Sequence, residues 1–253
     1  MITLNTIAYE GNFIKLLVKD SWFFKFNSKF ITKKTITINN VYSKEVLKNR
    51  IDELKQHYNF DLVYVSEEEE TAKKDFNLNI NKETLGYHYT IPYFVAINNT
   101  KTDYLLNVAT DCMDDIFIND TFLICAINEI EGNPRCSSTM VAWTKNNYIM
   151  KSGMKVGEFE EFDIFKKHEM KGVLSDNFHY TLNFTDQFFM NSIDKLKKID
   201  YNINENEANK IYNGPAYGGN SFEKRMVGHQ VKNNVYNCVF KGDNFYIHDN
   251  NYY

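Results

Sequence analysis

The first 130 residues alternate short β-branched or apolar runs with segments of helical periodicity, and this alternation most constrains the fold. Residues 2–8, 35–38, 61–65 and 103–108 read as strands. Between them, residues 12–26 carry Phe13, Leu16, Leu17 and Phe24 at helical spacing, and residues 84–98 also read as a helix. Ser43 is a candidate N-cap for a helix with Val46, Leu47, Ile51, Leu54 and Tyr58 on one face. Asn119 or Asp120 caps another, with Phe122, Leu123, Ala126, Ile127 and Ile130 on one face, stopped by Gly132-Asn133-Pro134. Four βα units in this space predict a mostly parallel, doubly wound sheet flanked by helices. The run from Asp103 to Val108 is apolar enough for a central parallel strand. In such sheets ligands bind beyond the carboxyl ends of the strands, so the residues just after each strand matter most.

The second half is less regular. Residues 138–143 read as a strand, 185–199 and 221–232 as helices, and 234–240 and 244–248 as closing strands. Glu67 to Glu70 reads as a solvated turn. No repeat or linker divides the chain, so one domain is expected, with residues 1–132 as one half and 133–253 as the other.

Composition excludes several classes. With 253 residues, 43% apolar and 15% aromatic, the chain can bury a core unaided and is not intrinsically disordered. A net charge of -4 argues against sequence-blind nucleic-acid binding, which needs a basic face. The four cysteines form no C-x-x-C pair and have no histidine at zinc-ligand spacing, which fits reduced thiols in a cytoplasmic protein. No window is apolar enough for an integral membrane segment, and no signal peptide is visible at the start. No P-loop, G-x-G-x-x-G or G-x-S-x-G elbow occurs, against a nucleotide hydrolase, a Rossmann dehydrogenase and a serine hydrolase.

The fourth strand releases Ala109-Thr110-Asp111-Cys112-Met113-Asp114-Asp115 at its carboxyl end. Clustered carboxylates there are costly unless solvated or neutralised, and their oxygens suit Mg²⁺ or Mn²⁺. The pattern leaves open whether Asp111 is a ligand or a turn residue.

The order of elements resembles the nucleotide-sugar-dependent glycosyltransferases of the GT-A fold. Thr6-Ile7-Ala8-Tyr9-Glu10 looks like the first-strand loop that cups the base, and Ile38-Asn39-Asn40 stands where such enzymes often carry an acidic residue. Leu85-Gly86 looks like the opening of the helix before the metal-binding strand. Ala109-Thr110-Asp111 looks like the D-x-D segment with Ala109 in place of the first aspartate. Phe184-Thr185-Asp186-Gln187-Phe188-Phe189 and Gly218-Gly219-Asn220-Ser221-Phe222-Glu223 look like the S/T-D-Q/R-x-F and G-x-S-x-E segments of surface-polysaccharide transferases in bacteria and viruses. Phe245-Tyr246-Ile247-His248 resembles the closing strand whose histidine completes the metal site.

The resemblance implies a single GT-A-like domain with an irregular, acceptor-side C-terminal half. It implies a divalent-metal-assisted, inverting glycosyltransferase using a nucleotide sugar donor, UDP-linked by default, and a glycan or glycoprotein acceptor. Ala8, Tyr9, Glu10, Asn40, Gly86 and Thr110 would contact the nucleotide. Asp111 and His248 would hold Mn²⁺ or Mg²⁺, and Asp186 or Glu223 would take the acceptor's proton. Asp186 as a helix N-terminal carboxylate and Glu223 as a capping or i,i+4 partner are the structural alternatives. A non-catalytic glycan-binding or assembly module is the alternative function.

Overall fold

The computed structural model describes residues 1–9, 21–39, 44–112, 116–143, 148–149, 154–155, 175–182, 184–202, 221–242 and 244–246. Its strands are β1 (Ile2–Tyr9), β2 (Ile31–Asn39), β3 (Asp61–Tyr64), β4 (Tyr104–Val108), β5 (Ile116–Phe117), β6 (Cys136–Met140), β7 (Ala142–Trp143), β8 (Tyr148–Ile149), β9 (Met154–Lys155), β10 (Phe178–Thr181), β11 (Phe188–Ser192), β12 (Tyr236–Phe240) and β13 (Phe245–Tyr246). The α-helices are α1 (Trp22–Lys25), α2 (Lys44–His57), α3 (Val65–Asp75), α4 (Ile91–Asn99), α5 (Asp120–Gly132), α6 (Ile193–Lys198) and α7 (Phe222–Asn233).

Eight strands form one sheet in the order β10-β12-β6-β11-β4-β1-β2-β3. The pairs β3/β2, β2/β1 and β1/β4 are parallel, as the βα alternation predicts. β11 then inserts antiparallel between β4 and β6, and β12 returns parallel to β6. The expected mixed α/β fold with a mostly parallel, helix-flanked sheet is present, and its sheet takes strands from both halves of the sequence. β5, β13 and β7 form a separate three-stranded sheet.

Both faces of the main sheet are covered, so its central strands are buried along their length rather than on alternate residues. Ile2, Leu4 and Ala8 of β1 join Leu47, Ile51 and Leu54 of α2 and Phe122, Leu123, Ala126 and Ile130 of α5 in one core. Ile7 and Leu105 turn the other way, into a core with Val65 and Ala72 of α3, Ile91, Phe94 and Val95 of α4, Leu196 of α6 and Phe222 of α7. The period of two along each strand sends alternate side chains to opposite layers.

Several sequence expectations are corrected. Residues 185–199 are not one helix: Phe188–Ser192 is a strand, and only Ile193–Lys198 is helical. Long-range pairing of β11 with β4 overrides its local propensity. The acidic run at 67–70 is not a solvated turn; it lies in α3, which buries Val65, Glu69 and Ala72 at spacings of four and three. The helix expected over 84–98 begins at Ile91, because Gly86 is left-handed at φ 85° and Pro92 sits in the first turn of α4. The strand expected over 138–143 is two strands, β6 and β7, in different sheets. Of the helix expected over 12–26, Trp22–Lys25 is helical, and residues 12–20 lie outside the described residues. β10 was not foreseen, and β12, the strand expected over 234–240, lies between β10 and β6 in the main sheet.

Candidate functional site

β1 lies between β2 and β4, so the chain reverses direction across the sheet at the carboxyl ends of β1 and β4. Doubly wound sheets place their ligands at such a reversal. Tyr9 ends β1 and pairs in register with Asn39, which ends β2. Both side chains donate to one acceptor, the carbonyl of His88: the Tyr9 hydroxyl at 3.2 Å and Asn39 Nδ2 at 2.9 Å. The segment carrying His88 turns at Gly86, whose carbonyl accepts from Thr90 Oγ1 at 2.8 Å. A side chain at Gly86 would be strained at that positive φ. The rings of Tyr9 and Tyr89 stand 6.2 Å apart, tilted by 53°, at the rim.

β4 exits into a single 3₁₀ turn, Thr110–Cys112. Thr110 Oγ1 reaches back 3.3 Å to the carbonyl of Ile7 and ties the two strand ends together. Asp111 is delivered to the carboxyl edge by this turn; its side chain is outside the described residues.

Antiparallel pairing brings Asp186 to the same edge. β11 pairs Phe188 with Val108, and the amide of Ala109 donates to the carbonyl of Gln187 at 2.7 Å. One further step along this register sets Asp186 beside Thr110. Asp186 lies in the turn before β11, not in a helix, so the helix-dipole alternative for it is removed.

Two elements hold the backbone of Asp186. Asn107 of β4 donates Nδ2 to its carbonyl at 3.0 Å. Glu223 of α7 accepts its backbone amide on Oε1 at 3.3 Å. Tyr93 of α4 stands near enough for the Asp186 charge to act on its phenol. Asn107 is itself braced, because its amide lies 2.8 Å from that of Asn5, which lies 2.9 Å from the Thr37 hydroxyl. A buried polar ladder thus crosses β2, β1 and β4 and ends on Asp186. Tyr93 is buried, and its ring stacks on Phe222 at 4.7 Å and 8°. Its phenol is held well above the usual range, first by burial and then by the charges of Asp186, Tyr9 and Glu223, so it remains a hydrogen-bond donor at ordinary pH.

Of the residues singled out from sequence, Asp186 and Glu223 meet directly, and Tyr9 and Thr110 lie at the neighbouring strand ends. The Ala8 side chain is buried in the core, which leaves only its backbone for a ligand. Gly86 joins the group through the link from His88 to Tyr9. Glu10, Asn40 and His248 lie outside the described residues, and so does any meeting of His248 with Asp111. Among the described residues no group of three or more His, Cys, Asp or Glu side chains could hold a metal ion. Arg225, a conceivable diphosphate ligand, is buried and donates to the carbonyl of Tyr201 at 2.6 Å.

Sequence reasoning passed over Tyr93, Asn107 and the His88 carbonyl. Tyr93 sits in a helix whose residues from Ile91 to Ile97 are all buried, so it reads as core. Asn107 did carry a signal: it is the one polar side chain in the buried strand Tyr104–Val108.

No family model and no curated protein matches the chain. Solved structures do resemble it. TarS of S. aureus is 13% identical over 97% of this chain and 36% of its own, with a TM-score of 0.47. Apo mouse xyloside xylosyltransferase 1 is 9% identical over 94% and 85%, at 0.49. Glucosyl-3-phosphoglycerate synthase of Mycobacterium tuberculosis, solved with Mn²⁺, UDP and glucosyl-3-phosphoglycerate, is 8% identical over 77% and 57%, at 0.38. This chain spans about a third of TarS and 59% of its 1–349 fragment. These neighbours are glycosyltransferases of the GT-A type that the sequence resembles.

Proposed function

We propose that the protein is a glycosyltransferase that moves a sugar from a nucleotide diphosphate donor, UDP-linked, to a hydroxyl of a glycan or glycoprotein, with inversion. The observation that carries this reading is Asp186, whose backbone is held by β4 and α7 at the edge where β1 and β4 end.

In the proposed step the acceptor oxygen attacks the anomeric carbon, and the bond from that carbon to the phosphate oxygen breaks. The electron pair leaves with the diphosphate, and the hydroxyl proton passes to the Asp186 carboxylate. Tyr9 and the segment Gly86 to Tyr89 would face the nucleoside, with the backbone of Ala8 beside it and Glu10 and Asn40 as further nucleotide contacts. Thr110 would hold the β1 and β4 exits in register beneath the diphosphate. Glu223 is assigned to hold Asp186 rather than to take the proton, since its Oε1 already accepts the Asp186 amide. A carboxylate oxygen of Asp111 and an imidazole nitrogen of His248 would hold Mn²⁺ or Mg²⁺. The cation would supply charge neutralisation of the departing diphosphate.

Ala109 in place of the first aspartate of D-x-D favours a second reading, a glycan-binding or assembly module without transfer. Calorimetry with UDP, GDP and CDP, each with and without Mn²⁺, separates the two. UDP binding strengthened by Mn²⁺ supports the transferase. Glycan binding without nucleotide affinity supports the module and removes the transferase.

A further inference from the structure

One stretch has a charge opposite to that of the whole chain. Residues 21–34 hold Lys25, Lys29, Lys33 and Lys34 and no Asp or Glu, in a protein of net charge -4. The same residues carry Trp22, Phe23, Phe24, Phe26 and Phe30. The fold divides these rings into two sets. Phe23 and Phe24 of α1 are buried, and Phe24 stacks on Tyr58 at 4.6 Å and 20°. Trp22, Phe26 and Phe30 pack against the core and stay partly uncovered.

The half-open set is held in place. Trp22 stacks on Phe26 at 4.7 Å and 18°. Lys34 of β2 donates to the carbonyls of Phe24 and Phe26 at 2.8 and 2.7 Å and ties the segment to the sheet. Exposed cations border the rings. Lys29 Nζ lies 5.2 Å from the centroid of Phe30, and Lys25 is exposed at the end of α1. Lys33 is also exposed and pairs with Asp61 at 2.7 Å, which cancels the charge of that acid. The segment enters β2 at its amino end, where the Phe30 carbonyl accepts the Ile2 amide at 2.9 Å. Asn39 and the candidate site lie at the opposite end of β2.

Aromatic rings flanked by lysines suit the boundary of a lipid bilayer. The rings rest at headgroup depth, and the ammonium groups meet anionic headgroups. Single-stranded nucleic acid needs rings free to receive successive bases, whereas Trp22 and Phe26 are stacked on each other. We propose that Trp22, Phe26 and Phe30, with Lys25 and Lys29, form a peripheral docking face for an anionic phospholipid surface. Docking there leaves the carboxyl edge of the sheet open to solvent. The inference goes beyond the transferase reading and stands or falls without it.

The test is sedimentation of the full chain with phosphatidylcholine vesicles, alone or with about a third phosphatidylserine. The wild type should bind only the mixed vesicles, and raising salt from about 0.1 M to about 0.5 M should release it. The double change Lys25→Glu and Lys29→Glu, its fold checked by circular dichroism, should weaken binding at least about tenfold. The control Lys197→Glu and Lys198→Glu makes the same charge change at exposed positions of α6 and should stay within about threefold of the wild type. Trp22 and Trp143 are the two tryptophans, so mixed vesicles should blue-shift the emission of the wild type and not that of Trp22→Phe. Absence of binding to the mixed vesicles overturns the proposal. Equal losses in the two double variants overturn it as well, since net charge alone would then explain the binding. A blue shift kept in Trp22→Phe, or single-stranded RNA that displaces the protein from vesicles at equal charge concentration, also overturns it.

Discussion

The hydroxyl of Tyr87 donates a 2.7 Å hydrogen bond to Oε2 of Glu69, a carboxylate buried on α3. Lys82 meets the other oxygen at 2.8 Å. This anchor fixes the stretch from Lys82 to Tyr87, immediately before the His88 carbonyl that receives Tyr9 and Asn39. Burial alone would raise the carboxyl of Glu69, but the hydrogen bonds from Lys82 and Tyr87 and the lysine charges outweigh it and hold the group below its usual value.

The pH dependence follows from that depressed value. The stabilisation is fully present above the unfolded carboxyl value of about 4.3. It is lost as pH falls through the lower folded value, where the folded carboxylate is at last protonated. Glu69→Gln should lower stability near pH 7 by about 1.5–3 kcal/mol, the range for a hydrogen bond to a charged group. Thermal unfolding of both proteins at pH 7 and pH 3 should show the difference between them shrinking at the acid end. A difference that is constant with pH would remove Glu69 as the titrating anchor.

Asn107→Ala should be more damaging than a surface change. It leaves the Asn5 amide without its 2.8 Å partner and the Asp186 carbonyl without its donor, both beneath the site. The expected loss is about 1–3 kcal/mol in urea unfolding, because buried polar groups are left unpaired. Asn107→Asp should not rescue it, since a carboxylate there cannot donate to the Asp186 carbonyl.

Asp186→Asn should leave UDP affinity within about twofold and reduce transfer by about 10²–10⁴-fold, the usual contribution of a general base. Calorimetry and a UDP-release assay read the two effects separately. Retained transfer would take the proton-accepting role away from Asp186.

Tyr9→Ala should weaken UDP binding by about tenfold, or about 1.4 kcal/mol. It removes the rim ring that faces Tyr89 and the bond to His88. Tyr9→Phe keeps the ring and should recover most of the affinity. Equal losses in the two variants would shift the credit from the ring to the hydroxyl.

Much of the parallel half was legible because its signals are local. β-branched runs mark β2, a near-continuous apolar run marks β4, and Asn119, one of the two caps that the sequence offers, caps α5 by accepting the Phe122 amide at 3.1 Å. The failures came where distant partners decide the structure. Phe188–Ser192 reads as helix until β4 and β6 flank it. The apolar positions of α3 sit among four glutamates, and only the packing shows that one of the four is buried. At the site, the two carboxylates were visible as residues at motif positions, but their contact was not. Nothing local connects residue 186 with 223, or either with Tyr93.

The antiparallel insertion of β11 also bears on how the molecule is made. The partner of Val108 is Phe188, eighty positions later, so the β4 flank stays without its neighbour until that portion has been synthesised. Chains interrupted before Ser192 would present an apolar strand with open amides and carbonyls, a template for intermolecular pairing. Truncation between β6 and β11 should therefore yield aggregates rather than a smaller folded unit.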